Sequence, residues 1–215
     1  MNNYDLQHTT LQGSGKGING GDFNRYNTGI SMPDTFNVTG PGAGHLTVMG
    51  DNLYFVGSYF SPSIPYDTGL ELNKIGPDSS FVSLVKDINP YNEGSDPNYL
   101  TVAGDTLYFR ANDGTYDKLW KSDGTNAGTM AVADVGLIGD QNGNQNQIIA
   151  VEDSIFFRGR YGNIFGYELW TSDGTASGTY QVKDIKAGGM NGLRGNFDTA
   201  RNTAVVGNAL YFAAD

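Results

Sequence analysis

Four ten-residue stretches of this chain superimpose without a gap, and that recurrence constrains the fold more than any other feature. They are Leu46-Thr-Val-Met-Gly-Asp-Asn-Leu-Tyr-Phe55, Leu100-Thr-Val-Ala-Gly-Asp-Thr-Leu-Tyr-Phe109, Ile148-Ile-Ala-Val-Glu-Asp-Ser-Ile-Phe-Phe157 and Thr203-Ala-Val-Val-Gly-Asn-Ala-Leu-Tyr-Phe212. Their starts lie 54, 48 and 55 residues apart. Each reads as a strand, a two-residue turn and a second strand, the turns being Gly50-Asp51, Gly104-Asp105, Glu152-Asp153 and Gly207-Asn208. That is the pattern of a β-hairpin.

A second block follows the first three hairpins. Lys118-Leu-Trp-Lys-Ser-Asp-Gly-Thr125 and Glu168-Leu-Trp-Thr-Ser-Asp-Gly-Thr175 are 50 residues apart, and Glu71-Leu72-Asn73 is an earlier copy without the Trp or the Asp-Gly-Thr. Thirteen residues beyond each Leu comes a third signal: Val85-Lys-Asp-Ile88, Val132-Ala-Asp-Val135 and Val182-Lys-Asp-Ile185. Each unit is therefore four short strands with a period of about 50 residues, the size of a propeller blade. Strands are predicted near 45–49, 52–57, 70–74, 82–87, 99–103, 106–111, 118–122, 130–134, 147–151, 154–159, 167–171, 179–184, 202–206 and 209–213.

Side chains alternate across a strand, so Leu107 and Phe109 face one way and Tyr108 the other. All three are apolar, as a sheet covered on both faces requires, whereas a half-exposed sheet would alternate with polar residues. The expected fold class is all-β: a β-propeller, or part of one. A β-solenoid competes, but its coils repeat at roughly half this length. Composition points the same way. The 31 Gly and 21 Asn make nearly a quarter of the chain, and 19 of the 23 acidic residues are Asp. All three types favour tight turns over helix interiors.

The run Glu168-Leu-Trp-Thr-Ser-Asp-Gly-Thr175, with Gly178-Thr179 and Val182-Lys-Asp-Ile185, resembles the bacterial repeat family named for its ELWxxDGT consensus. The resemblance covers about residues 45 to 215. The second unit departs from it by carrying Lys118 for Glu, and the first departs further. The resemblance implies a large secreted or surface-associated bacterial protein, propeller-like, with no common enzymatic activity.

Residues 45–215 form the expected repeat domain, with units near 45–98, 99–146 and 147–201 and a half unit at 202–215. Residues 1–44 hold no copy of the hairpin, and 11–21 reads as a flexible Gly-rich linker. Stretches 22–29 and 35–39 read as two strands. Either they complete the half unit and close a four-bladed ring, or the chain is part of a longer array; the family pattern favours the second.

The formal charge of −10 and a pI near 4.4 leave no basic stripe for nucleic acid or an anionic membrane surface. The absence of Cys excludes a disulfide framework, a thiolate zinc site and a cysteine nucleophile. No apolar run of membrane-spanning length and no signal peptide is visible, so the extracellular or cell-surface location expected from the resemblance needs a signal elsewhere or already removed.

The Asp-Gly-Thr repeat offers oxygen ligands to Ca²⁺, but a turn explains it better: Asp caps, Gly supplies positive φ and the Thr hydroxyl satisfies backbone. Asp140-Gln-Asn-Gly-Asn144 has its Gly misplaced for a calcium loop and Val151 at the twelfth position. Neither a metal nor a cofactor is expected. Trp120 and Trp170 are read as packing between sheets. The loops after each second strand vary and carry aromatics: Tyr59, Phe60 and Tyr66 in the first, Tyr116 in the second, Tyr161 and Phe165 beside Arg160 in the third. Variable aromatic loops on a rigid scaffold are where binding usually resides, so these six are the candidate ligand residues. The only histidines are His8 and His45, and no nucleophile-elbow, zincin or phosphate-loop motif occurs. The expectation is a non-catalytic scaffold engaging protein partners or copies of itself. A carbohydrate-binding propeller is the alternative. A glycoside hydrolase, whose acids would meet only in space, is third.

Overall fold

Every one of the four recurrent stretches folds as a hairpin around its two-residue turn. The first turn residue takes a positive φ in each: +56° at Gly50 and Gly104, +60° at Gly207, and +54° at Glu152. Glycine adopts this backbone freely, whereas Glu152 does so at a steric cost of about 1–2 kcal/mol that the surrounding hairpin must offset. The structure, a computed structural model, describes residues 21–23, 35–38, 45–60, 68–77, 82–90, 93–136, 148–160, 166–187, 191–193 and 202–214; at 21–23, 35–38, 59, 60, 134 and 136 it describes the backbone alone.

The described residues form strands and turns, with no helix long and apolar enough to cross a membrane. The first sheet contains β1 (Gly21–Phe23), β2 (Thr35–Val38), β3 (Thr47–Met49), β4 (Asn52–Phe60), β5 (Leu70–Ile75) and β6 (Ser83–Lys86). The second is a four-stranded meander of β7 (Asn98–Ala103), β8 (Thr106–Asn112), β9 (Asp117–Ser122) and β10 (Met130–Gly136). The third repeats it with β11 (Ile149–Val151), β12 (Ser154–Gly159), β13 (Glu168–Ser172) and β14 (Tyr180–Lys183), and β15 (Thr203–Val206) and β16 (Ala209–Phe212) form a last hairpin. All pairings are antiparallel. Each strand expected from residue 45 onward is present, with ends shifted by up to three residues.

The two-faced second strand explains how the sheets stack. Tyr54 and Leu72 of the first unit pack against Leu107, Phe109 and Trp120 of the second. Tyr108 and Leu119, on the other face of that second sheet, pack against Ile155, Phe157 and Trp170 of the third. Leu169 turns away from Trp170 and joins Ile149, Leu193 and Leu210 of the last hairpin. The second unit thus presents Leu/Phe/Trp to the unit before it and Tyr/Leu to the unit after, and the third follows with Ile/Phe/Trp and Phe/Leu.

Hydrogen bonds repeat with the packing. Thr47 Oγ1 donates to the Leu100 carbonyl at 3.3 Å, and Thr101 Oγ1 donates to that of Ile148 at 3.0 Å. Lys74 Nζ donates to the Gly124 carbonyl and Lys121 Nζ to the Gly174 carbonyl, both at 2.7 Å. The third unit places Ile149, Phe156 and Thr171 where the earlier units have Thr, Tyr and Lys. None can repeat those contacts, and Ile149 and Leu169 pack against Leu210 of the last hairpin.

The two N-terminal strands, offered by the sequence to the half unit, pair elsewhere in the structure. β4 extends to Phe60, beyond the reach of β3, and β2 takes the edge this leaves, with Thr35 opposite Phe60 and Asn37 opposite Ser58. Among the described residues, β15 and β16 pair only with each other.

Candidate binding surface at the loop end of the sheets

A four-stranded meander sorts its connections to two ends. The two-residue turns and the Asp-Gly-Thr turns share one end; the loops after each second strand and the linkers between units share the other.

At the turn end the repeated polar residues hydrogen-bond to one another. Asp123 Oδ1 accepts from the Thr125 amide at 2.8 Å and its hydroxyl at 2.7 Å. Thr125 Oγ1 then accepts from the Gly128 amide, and Thr129 Oγ1 donates back to the Thr125 carbonyl. Ser122 Oγ accepts from the Gly124 amide. Asp173, Thr175, Gly178, Thr179 and Ser172 repeat the network. Gly124 and Gly174 have φ of +87° and +84°, and a Cβ at either would overlap the hydroxyl of Tyr54 or Tyr108 from the preceding unit. The hydrogen bonds from Thr125 and Thr175 hold both Asp carboxyls below their ordinary range. These are turn residues, as their repetition indicated. Among the described residues no three His, Asp or Glu side chains converge as a metal site. Asp140–Asn144 lies outside the described residues.

Trp120 and Trp170 are buried, and each lies in the core between two sheets. In the first unit that place belongs to Asn73, fully buried, whose Nδ2 donates to the Gly57 carbonyl at 2.7 Å and the Glu71 carbonyl at 2.9 Å.

At the loop end, two buried glutamates tie the first and third units to their outgoing linkers. Glu71 Oε2 accepts from Ser95 Oγ at 2.5 Å and Oε1 from the Asn89 amide at 3.1 Å. Glu168 Oε1 accepts from the Gly192 amide at 2.9 Å and Oε2 from the Ile185 amide at 3.0 Å. Burial pushes the Glu71 carboxyl up to about 8, with the nearby Asp87 charge adding to the rise and the bonds from Ser95 and Asn89 opposing it. The sequence reading noted the two Glu residues but assigned them no role. Ser95 and Gly192 both lie 24 residues beyond their Glu, but one offers a hydroxyl and the other an amide, so only the folded contacts reveal the match.

The second unit has Lys118 in that position, and the side chain turns to the neighbouring loop. Lys118 Nζ donates to Asp113 Oδ2 at 2.6 Å and lies 4.6 Å from the centre of the Tyr116 ring, which is exposed. Burial alone would raise the Asp113 carboxyl; the bonds from Lys118 and Thr115 and the ammonium charge outweigh it and hold it low. Arg110 pairs with Asp117 across the base of the same loop. In the third unit Arg158 donates from Nε to the Leu193 carbonyl at 3.1 Å, and its guanidinium stacks 4.0 Å from the Tyr167 ring centre, with Arg160 at 5.4 Å. Tyr167 and the two Arg were not among the candidate ligand aromatics. Of the six that were, Tyr116 alone has its side chain among the described residues. Tyr59 and Phe60 are placed by backbone only, in β4, and Tyr66, Tyr161 and Phe165 lie outside the described residues.

Comparison with protein-family models, with curated proteins and with solved structures returned no match.

Proposed function

We propose that this chain is a propeller-like, non-catalytic repeat scaffold of a secreted or surface-associated bacterial protein of the ELWxxDGT kind, and that it binds a protein partner through its loop end. One observation carries this reading. The side chains that recur from unit to unit hold turns or pack between sheets, while the second unit sets the non-recurring Lys118 beside Asp113 and the exposed Tyr116 at its loop. Recurring residues thus build the frame, and the exposed Tyr116 beside Lys118 and Asp113 is the kind of amphipathic, charge-flanked aromatic that anchors protein interfaces.

The exposed Tyr116 ring also supports a carbohydrate-binding reading, since an aromatic face can stack on a sugar. Both readings are tested by probing the immobilised protein with arrays of surface proteins and of glycans. A Tyr116→Ala variant and a Tyr161→Ala/Phe165→Ala double variant run alongside. Protein binding that weakens at least tenfold in a variant, with an unchanged unfolding midpoint, is the expected result. Glycan binding with the same loss would move the assignment to a lectin. Release of reducing ends from an oligosaccharide would overturn it in favour of a hydrolase.

A further inference from the structure

The loop that carries Tyr116, residues 113–116 between β8 and β9, is seated on the linker that leaves the first unit. The Asn112 amide at its base donates to the Ser95 carbonyl at 2.9 Å. Gly114, at φ +90°, lies so close to the linker that a Cβ there would stand 3.1 Å from Asn89 Oδ1. Ser95 and Asn89 are the two residues that Glu71 holds, through the Ser95 hydroxyl and the Asn89 amide. Asn89 Nδ2 also donates to the Gly94 carbonyl at 2.9 Å, which ties the two described parts of the linker together. Beyond them Asp96 and Tyr99 take φ of +47° and +60°, conformations that a non-glycine residue keeps only where its surroundings enforce them.

Two kinds of contact thus define the loop. Its shape is local: the Gly114 amide donates to Asn112 Oδ1 at 2.8 Å, and the Thr115 amide to Asp113 Oδ1 at 3.2 Å. Its seat is not local, because Ser95 and Asn89 belong to the linker and are held from β5. We propose that Glu71 is a positioning residue for the Tyr116 surface, holding the linker on which the next unit's loop rests. The inference rests on the reading of that loop as a binding surface and adds to it a control exerted from the neighbouring unit. Glu71 suits the task. It is fully buried, and among the described residues no cation pairs with it, so its two oxygens are left for donors from the linker. An apolar side chain in its place would pack but would hold neither donor. Burial disfavours the charge on Glu71, so neutral Gln of the same shape is its closest replacement. Its Oε1 can accept from the Asn89 amide, and its Nε2 can donate to Ser95 Oγ.

The test is amide hydrogen exchange of the full chain followed by NMR, which needs no partner. Glu71→Ala should speed exchange of the Asn112 amide by about tenfold over wild type, because opening of the seat is a local event. The Gly174 amide, bonded to Ser172 Oγ in the third unit, should change by less than about twofold. Glu71→Gln should keep the Asn112 rate within about twofold of wild type. If Glu71→Ala does not fold, Ser95→Ala replaces it, with an increase of about threefold expected because one of the two ties remains. An unchanged Asn112 rate, a Gly174 rate that rises as much, or a Gln variant as fast as the alanine variant overturns the proposal. So does a protein partner that is lost with Tyr116→Ala yet bound undiminished by Glu71→Ala, a result that leaves the scaffold reading standing. Selective loosening of Asn112 in a chain that captures no protein supports the seating of the loop and overturns the binding reading instead.

Discussion

At the scale of single residues, a tryptophan and a glutamate make opposite use of burial. The indole Nε1 of Trp170 has no hydrogen-bond partner among the described residues, and the ring serves by shape and apolar area. Trp170→Ala should cost about 3–5 kcal/mol in denaturant unfolding, a large share of a typical stability of about 5–15 kcal/mol. Trp170→Phe should cost clearly less, because it gives up volume but no hydrogen bond. An unchanged midpoint for Trp170→Ala would remove it from the core. Glu71 is buried with its charge disfavoured, and its folded carboxyl titrates near 8 against an ordinary 4.5. Between those values the folded state holds more protons than the unfolded one. The stabilisation is therefore complete below about 4.5 and declines as pH rises towards 8. Glu71→Gln should flatten this slope, by on the order of a few kcal/mol in the stability difference between pH 5 and 8. His45, whose burial lowers its imidazole below 6.5, acts in the opposite direction and is common to both proteins. A variant with the same pH slope as wild type would show that Glu71 is ionised in the folded state.

At the scale of elements, the Asp-Gly-Thr turn of one unit is the seat for the third strand and central tyrosine of the unit before it. Gly174 accepts from Lys121 and leaves room for the Tyr108 hydroxyl. Gly174→Ala should therefore be destabilising for two reasons. A non-glycine residue at φ +84° costs about 1–3 kcal/mol, and the new methyl group overlaps the hydroxyl. Tyr108→Phe in the same chain removes the overlap but not the backbone cost. The double variant should therefore recover part of the stability lost by Gly174→Ala, as read in a double-mutant cycle of unfolding free energies. Strict additivity would mean that the two groups do not meet. The turn residues themselves were legible, because Asp, Gly and Thr satisfy one another within six residues of chain.

At the scale of the molecule, units follow one another through interfaces that are alike but not equal. The first two combine apolar packing with Thr and Lys hydrogen bonds; the third packs Ile149 and Leu169 against Leu210 of the last hairpin, with Ile149 and Thr171 where those Thr and Lys would stand. The sequence by itself determined the strands, their turns and which side chains face each neighbour, because alternation and turn chemistry are local: Tyr108 must oppose Leu107 and Phe109 whatever else the chain does. It also implied that Trp120 and Trp170 belong between sheets. Tertiary structure decided the rest. The Lys74 and Lys121 contacts span 50 and 53 residues, and the Glu71 and Glu168 clasps reach 24 residues ahead. β2 joins β4 only because β4 outruns β3. Those contacts depend on the offset between stacked sheets and on which strand edge is left free. Both are set by packing between distant segments, and no residue pattern within a single strand carries them.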